Sequence, residues 1–175
     1  VMWSWDSFDH LDPYRIGYDA LDAYWHVRGF PGAADWTHGN GVTYDQRDDS
    51  VLVSLRLQDC ILKIDRKSGE IVWILGDHSD WSPELQPRLL TPVGDNFRWP
   101  WHMHNPRITS EGTIMLFDNG IYGARPGQQR VPFHRSFSRG VEYRVDEQAM
   151  TVEQVWASAL TDDDVMERTW AMGDA

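Results

Sequence analysis

Four-stranded antiparallel meanders, repeated and stacked radially as the blades of an all-β propeller, are the architecture this chain predicts. Three features carry that expectation. Short runs of alternating apolar and polar residues outnumber stretches with a helical period. Turns rich in Gly, Asp and Ser bound those runs. A set of four such runs then recurs, so that Asp65 to Trp73 is echoed by Asp146 to Trp156.

The first set begins with Val42-Thr43-Tyr44-Asp45, followed by the polar turn Gln46 to Ser50. Val51 to Arg56 is the second strand and Cys60 to Asp65 the third. Arg66-Lys67-Ser68-Gly69 is a tight turn, with glycine where a positive φ is expected. Glu70 to Leu75 closes the meander. The second set runs from Asn105-Pro106-Arg107-Ile108-Thr109 through a turn at Ser110-Glu111-Gly112 to Thr113–Asp118. A loop rich in Gly, Pro and Arg leads to Gly140–Asp146, and Thr151–Trp156 completes the copy. One such unit cannot bury both of its faces alone, which is why repetition implies stacking.

Segments 7–34 and 77–98 are longer than a blade needs and carry Pro, Gly and charge with weak helical periodicity. Insertions of this kind build sites on one face. A short helix is expected within Asp12 to Tyr24, and Thr161-Asp162-Asp163-Asp164 reads as the cap of another. Val1-Met2-Trp3-Ser4-Trp5-Asp6 alternates like a strand in progress, and the chain ends without a polar tail. Residues 1–175 therefore read as one partial propeller domain, about two complete blades plus pieces of their neighbours.

Composition narrows the partners. A net charge of −11 disfavours a grip on phosphate backbones, so no nucleic acid is expected. A local cluster of His and Arg still suits a small anion. No run approaches the ~20 apolar residues of a membrane span. The single cysteine, Cys60, lies in an apolar run and reads as a buried structural thiol. Ten tryptophans suit either packing or a cleft for flat aromatic ligands.

The chemistry-bearing residues cluster just before the first strand of each copy. His38 and Asn40 lie in Asp35-Trp36-Thr37-His38-Gly39-Asn40-Gly41. His104 and Asn105 lie in Trp99-Pro100-Trp101-His102-Met103-His104-Asn105. Equivalent positions in stacked blades converge, and Arg56, at the end of its strand, points the same way. Imidazole, guanidinium and amide donors suit tetrahedral oxyanions. Two other readings stay open: structural histidines held by hydrogen bonds, and a metal pair at His102 and His104. Asp118-Asn119-Gly120 reads as a plain turn, and Trp99 and Trp101 as packing or substrate wall.

Several of these stretches, in order along the chain, resemble the arylsulfotransferase family. They are Asp35 to Val42; Asp48-Asp49-Ser50; Arg56 and Gln58; Ile64 to Gly69; Trp73 to Gly76; Trp99 to His104; Gly112; Phe117 to Gly120; Ser138 to Tyr143; and Val155-Trp156. The resemblance implies a six-bladed propeller that moves sulfuryl groups between phenols, with neither a nucleotide donor nor a cofactor. It implies His104 as the transiently sulfated residue, with His38, Asn40 and Arg56 as the matching family positions, His38 and Arg56 catalytic and Asn40 at the substrate; Trp99, Trp101 and Asn105, beside His104, are expected at the substrate as well. Its implied partners are a small phenolic donor and acceptor, with a second copy or the remaining blades completing the assembly. Its implied location is periplasmic or secreted. The chain departs from the family at Gly41, Leu57 and Met103, where Ser, His and Gln are common. The competing functions are a non-catalytic propeller that binds a ligand or protein, and a metal-dependent lyase or hydrolase.

Overall fold

The computed structural model describes residues 2–20, 24–158 and 169. Among the described residues, nine strands form two sheets that make an open pair and not a closed ring. The first sheet holds β1 (Gly39–Asp45), β2 (Ser50–Leu55), β3 (Cys60–Asp65) and β4 (Ile71–Gly76), antiparallel and in chain order. Its last turn forms because the Asp65 carboxylate accepts from the Lys67 and Ser68 amides at 3.1 and 2.7 Å, while Gly69 supplies a φ of 78°.

Alternation along these strands sorts residues onto two faces. Leu52, Ile61, Trp73 and Leu75 point to the second sheet and share a core with Leu90, Met103, Leu116, Val141 and Tyr143. Leu55, Cys60, Leu62, Ile64 and Ile74 point the other way, under Leu11, Trp81, Trp3 and Trp5. Both faces of β3 are thus covered, and Ile61, Leu62 and Ile64 are fully buried. Each such side chain contributes about 1.5–3 kcal/mol relative to exposure. The Cys60 thiol is sealed in as well, and burial pushes it up to about 12.

The second sheet departs from the expected four strands. β6 (His104–Ile108), β7 (Ile114–Asp118), β8 (Arg139–Asp146) and β9 (Thr151–Ala157) form the meander, but β5 (Thr91–Val93) joins β9 in parallel. Segment 77–98 is a brace between the blades and forms no α-helix. The Leu90 amide donates to Ile74 O at 3.0 Å and the Thr91 amide to Met150 O at 2.8 Å. The helix expected within Asp12 to Tyr24 is also absent among the described residues. Asp12 caps the Tyr14 amide in a turn instead, and the chain then passes Leu57 so closely that a Cβ on Gly17 would lie 2.5 Å from Leu57 O. Trp3 and Trp5 pack on the first sheet, yet their segment pairs with no strand among the described residues. The capping stretch Thr161 to Asp164 lies outside the described residues.

The blades meet along the neighbouring edge strands β1 and β6. Side chains join them: Asn40 Nδ2 donates to Met103 O at 2.9 Å and Thr43 Oγ1 to Pro106 O at 2.5 Å. The approach is tight. A Cβ on Gly41 would fall 2.7 Å from both Pro106 Cδ and Ser54 Oγ, so this seam requires glycine.

Candidate active site

One end of the seam collects the sequence-predicted residues. His38 immediately precedes β1, His104 opens β6 and Arg56 follows β2. The Arg56 amide donates to His38 O at 3.2 Å, which ties the two segments together. The short 3-10 turn Arg56–Gln58 is pinned from below, where Gln58 Nε2 donates to Arg15 O and Trp36 O, both at 2.8 Å. His38, Asp59, His102, Asn105 and Tyr122 all adopt positive φ between 47° and 63°. Such backbone is costly for residues with a Cβ and persists where surrounding contacts over-determine it.

His104 is held in one tautomer. Its Nδ1–H donates to Asn119 Oδ1 at 2.7 Å and to His102 O at 3.1 Å, and both partners are acceptors. The Asn119 amide is itself oriented, because its Nδ2 donates to Thr169 O at 2.8 Å. The lone pair of His104 therefore sits on Nε2. Burial, together with the positive charge of Arg56, holds the imidazole below its usual range, so it is neutral at pH 7.

Arg56 is buried, and its Nη1 donates to Asp19 Oδ2 at 3.2 Å. His38 Nδ1 contacts Asp35 Oδ2 at 2.5 Å, which orients its ring much as a carboxylate orients a catalytic histidine. Asn40 lies between the blades. Besides its bond to Met103 O, its Oδ1 accepts from Ser54 Oγ at 2.6 Å, so it braces the strand leading into His104. Asn105 takes the left-handed turn after His104, at an irregularity in the β6–β7 pairing.

Trp99 and Trp101 lie apart from these residues. Trp99 packs edge-on against Phe97 and tilts against His78. Both tryptophans line a cleft of about 400 Å³ with Arg98, Arg135, Phe137 and Arg139, whose walls include none of His38, Arg56 and His104. Asp118 and Gly120 also line it, flanking Asn119 and linking the cleft to the histidine site. The turn expected at Asp118-Asn119-Gly120 is present, and it also serves the site. Asp118 fixes the Trp101 amide at 2.8 Å, and Asn119 fixes His104.

The metal-pair reading of His102 and His104 fails on geometry. His102 turns away from His104, with Nε2 donating to Asp19 Oδ1 at 2.8 Å. Its Nδ1 lies 2.8 Å from Asp59 Oδ1, a charge contact off the line of the N–H. Asp59 in turn accepts from Arg125 Nη1 at 3.0 Å. These partners escaped the sequence reading because Asp19, Asp59 and Arg125 share no short motif with His102. Their signal would have been charged residues in otherwise apolar or turn-forming stretches.

The departures from the family pattern fit the same packing. Met103 is fully buried in the shared core, Leu57 is buried against Gly17, and Gly41 meets the seam.

Fold and site together define a β-propeller piece with histidine and arginine assembled where two blades meet. The arylsulfotransferase (ASST) family model matches residues 1–161, and the chain belongs to this family. It is 36% identical over 138 residues to an arylsulfate sulfotransferase, AssT, of Escherichia coli O6:H1 (strain CFT073), covering 70% of this chain. It is 32% identical over 144 residues to the AssT of Lelliottia amnigena, covering 73% of this chain. The matches span only 22% and 23% of those relatives' lengths.

Proposed function

We propose that the complete protein transfers a sulfuryl group from an aryl sulfate ester to a phenol, with His104 Nε2 as the covalent carrier. The observation that carries this reading is the double acceptor at His104 Nδ1, which puts a neutral lone pair on Nε2. In the first half, Nε2 attacks sulfur, the S–O bond to the phenol breaks, and the leaving oxygen takes a proton. In the second, an acceptor phenol loses its proton, its oxygen attacks the same sulfur, and the N–S bond breaks. Arg56 stabilises the charge on the transferring oxygens, since positioned cations matter most where a group transfers with little bonding to either side. His38, oriented by Asp35, gives the proton in the first half and recovers it in the second. Asn40 acts by holding the strand ahead of His104, and Asn105 by the turn behind it. The cleft of Trp99 and Trp101 offers aromatic walls next to Asn119 for the phenol ring. The cycle balances without a nucleotide, an oxidant or a metal ion.

Family membership also supports the expected export to the periplasm. Among the described residues, no helix is long and apolar enough to cross a membrane.

The test is steady-state turnover of a chromogenic aryl sulfate with a phenol acceptor. Parallel double-reciprocal lines are expected, with turnover lost in His104→Ala at unchanged melting temperature. A folded His104→Ala protein that turns over at the original rate would refute the assignment and favour a propeller that only binds its ligand.

A further inference from the structure

Beneath the histidine site lies a chain of five alternating charges: Arg125, Asp59, His102, Asp19 and Arg56. Its members come from the first segment, the β2–β3 turn, the approach to β6 and the loop after β7. All are buried, with His102 1% and Arg125 0% exposed. His102 is sealed from any substrate, so it is no catalytic residue. We infer that His102 is a positioning residue for sulfuryl transfer, its ring bridging Asp19 and Asp59 to set Arg56 while its backbone carbonyl sets His104. The inference rests on the sulfuryl-transfer reading above and assigns a role to a residue that reading does not use.

Three lines of geometry support it. First, Asp19 belongs to a segment of turns without ladder pairing, and His102 Nε2 at 2.8 Å is its shortest charged partner, against 3.2 Å for Arg56. An arginine that must meet a transferring group needs a carboxylate that does not wander, and His102 supplies that anchor. Second, each ring nitrogen of His102 has a carboxylate oxygen at 2.8 Å, Nε2 in a hydrogen bond with Asp19 and Nδ1 in a charge contact with Asp59, so one ring holds both carboxylates. This buried frame ends at Arg56, where an anionic sulfuryl group would lie. Third, the same residue's carbonyl accepts from His104 Nδ1 at 3.1 Å. His102 thus couples the carrier to the arginine through one side chain and one peptide. Tyr122, edge-on at 5.5 Å, closes the remaining side of the ring.

The alternative is that the network only stabilises the fold, and a double-mutant cycle separates the two. In the complete protein, the rate at which a chromogenic aryl sulfate loads His104 is followed in the absence of acceptor. His102→Gln breaks the bridge between Asp19 and Asp59 and should slow loading about 10²-fold, the scale set by a misplaced catalytic group, with little change in the donor KM. In an Arg56→Ala background the same substitution should add less than about 2-fold, because the two residues act as one unit. Asp19→Asn keeps the shape of its side chain and should repeat both results, which carries the test if His102→Gln does not fold. Loading at the original rate in folded His102→Gln or Asp19→Asn, or full additivity with Arg56→Ala, overturns the inference and leaves the sulfuryl-transfer reading standing. Loading that persists in His104→Ala overturns that reading, and the inference falls with it.

Discussion

The seam between the blades carries buried cations at both ends, and the ends differ in their access to water. At the end away from the histidines, Lys63 of β3 bonds to Asp48 and to Glu147 of the second blade, both at 2.5 Å, and Glu147 also accepts from Trp73 Nε1 at 2.9 Å. The side chains of Asp48 and Glu147 are each 43% exposed. At the histidine end Asp59 and Asp19 are 2% and 7% exposed. Water reaches the Lys63 carboxylates and can solvate them if the lysine is lost. It does not reach Asp59, so that carboxylate depends on Arg125 and His102. The far end is a latch that keeps two blades in register. The near end is a rigid electrostatic frame, and its desolvation is tolerable only because every carboxylate meets a cation.

Substitutions at the two ends should therefore differ in kind. Arg125→Met leaves Asp59 short of a cation in a dry environment and should cost about 3–5 kcal/mol in chemical denaturation of the complete protein. A cost within the range of an exposed ion pair would show that water enters this end as well.

Asn119→Leu keeps the turn length but removes the stronger acceptor at His104 Nδ1. Turnover should fall about 10²-fold with the fold retained. Asn119→Asp keeps the acceptor and adds charge, which raises the His104 pKa. In the proposed mechanism Nε2 attacks unprotonated, so the acid limb of the rate profile should move to higher pH from a parent position below the usual histidine value.

His102 gives the frame its own pH signature. Burial opposes its charge, but Asp59 and Asp19 overcome that and raise it from 6.5 to about 9. A raised histidine contributes stability that is complete below its unfolded pKa and is lost as pH climbs through its folded one. The melting temperature should thus fall as pH rises from about 6.5 through about 9, and this fall should be smaller in His102→Gln. The smallest effect belongs to the latch. Lys63→Met should change stability by about 1 kcal/mol or less and leave turnover unaltered, because its carboxylates can turn to water. A large loss there would make the two ends equivalent.

The contrast also explains what the sequence could disclose. Period-2 alternation and turn chemistry mark β2 to β4 and β6 to β9 to within a residue, because each such strand carries its own apolar face, while β1 begins three residues before the expected Val42, in the Gly-rich run where alternation is lost. β5 has only Thr91-Pro92-Val93, too short to alternate, and its parallel pairing with β9 is set by the brace between the blades. The helix expected in Asp12 to Tyr24 was outweighed by the Asp12 turn and by the close passage at Gly17. His38, Arg56 and His104 were legible because repeat-equivalent positions converge. Their supporting residues were not: Asp19 lies 83 positions from His102, and no local spacing predicts that meeting. Asn119 hid behind a turn motif that is real, since Asp118-Asn119-Gly120 both turns the chain and presents the amide to His104.

The role of His104 Nε2 as sulfuryl carrier is tested most directly by mixing the complete protein with a chromogenic aryl sulfate and no acceptor, then mapping peptides by mass spectrometry. One sulfuryl group on the peptide bearing His104, lost on adding a phenol and absent in His104→Ala, is the expected result. Phenol release with the label on another residue, or with no label at all, would contradict it.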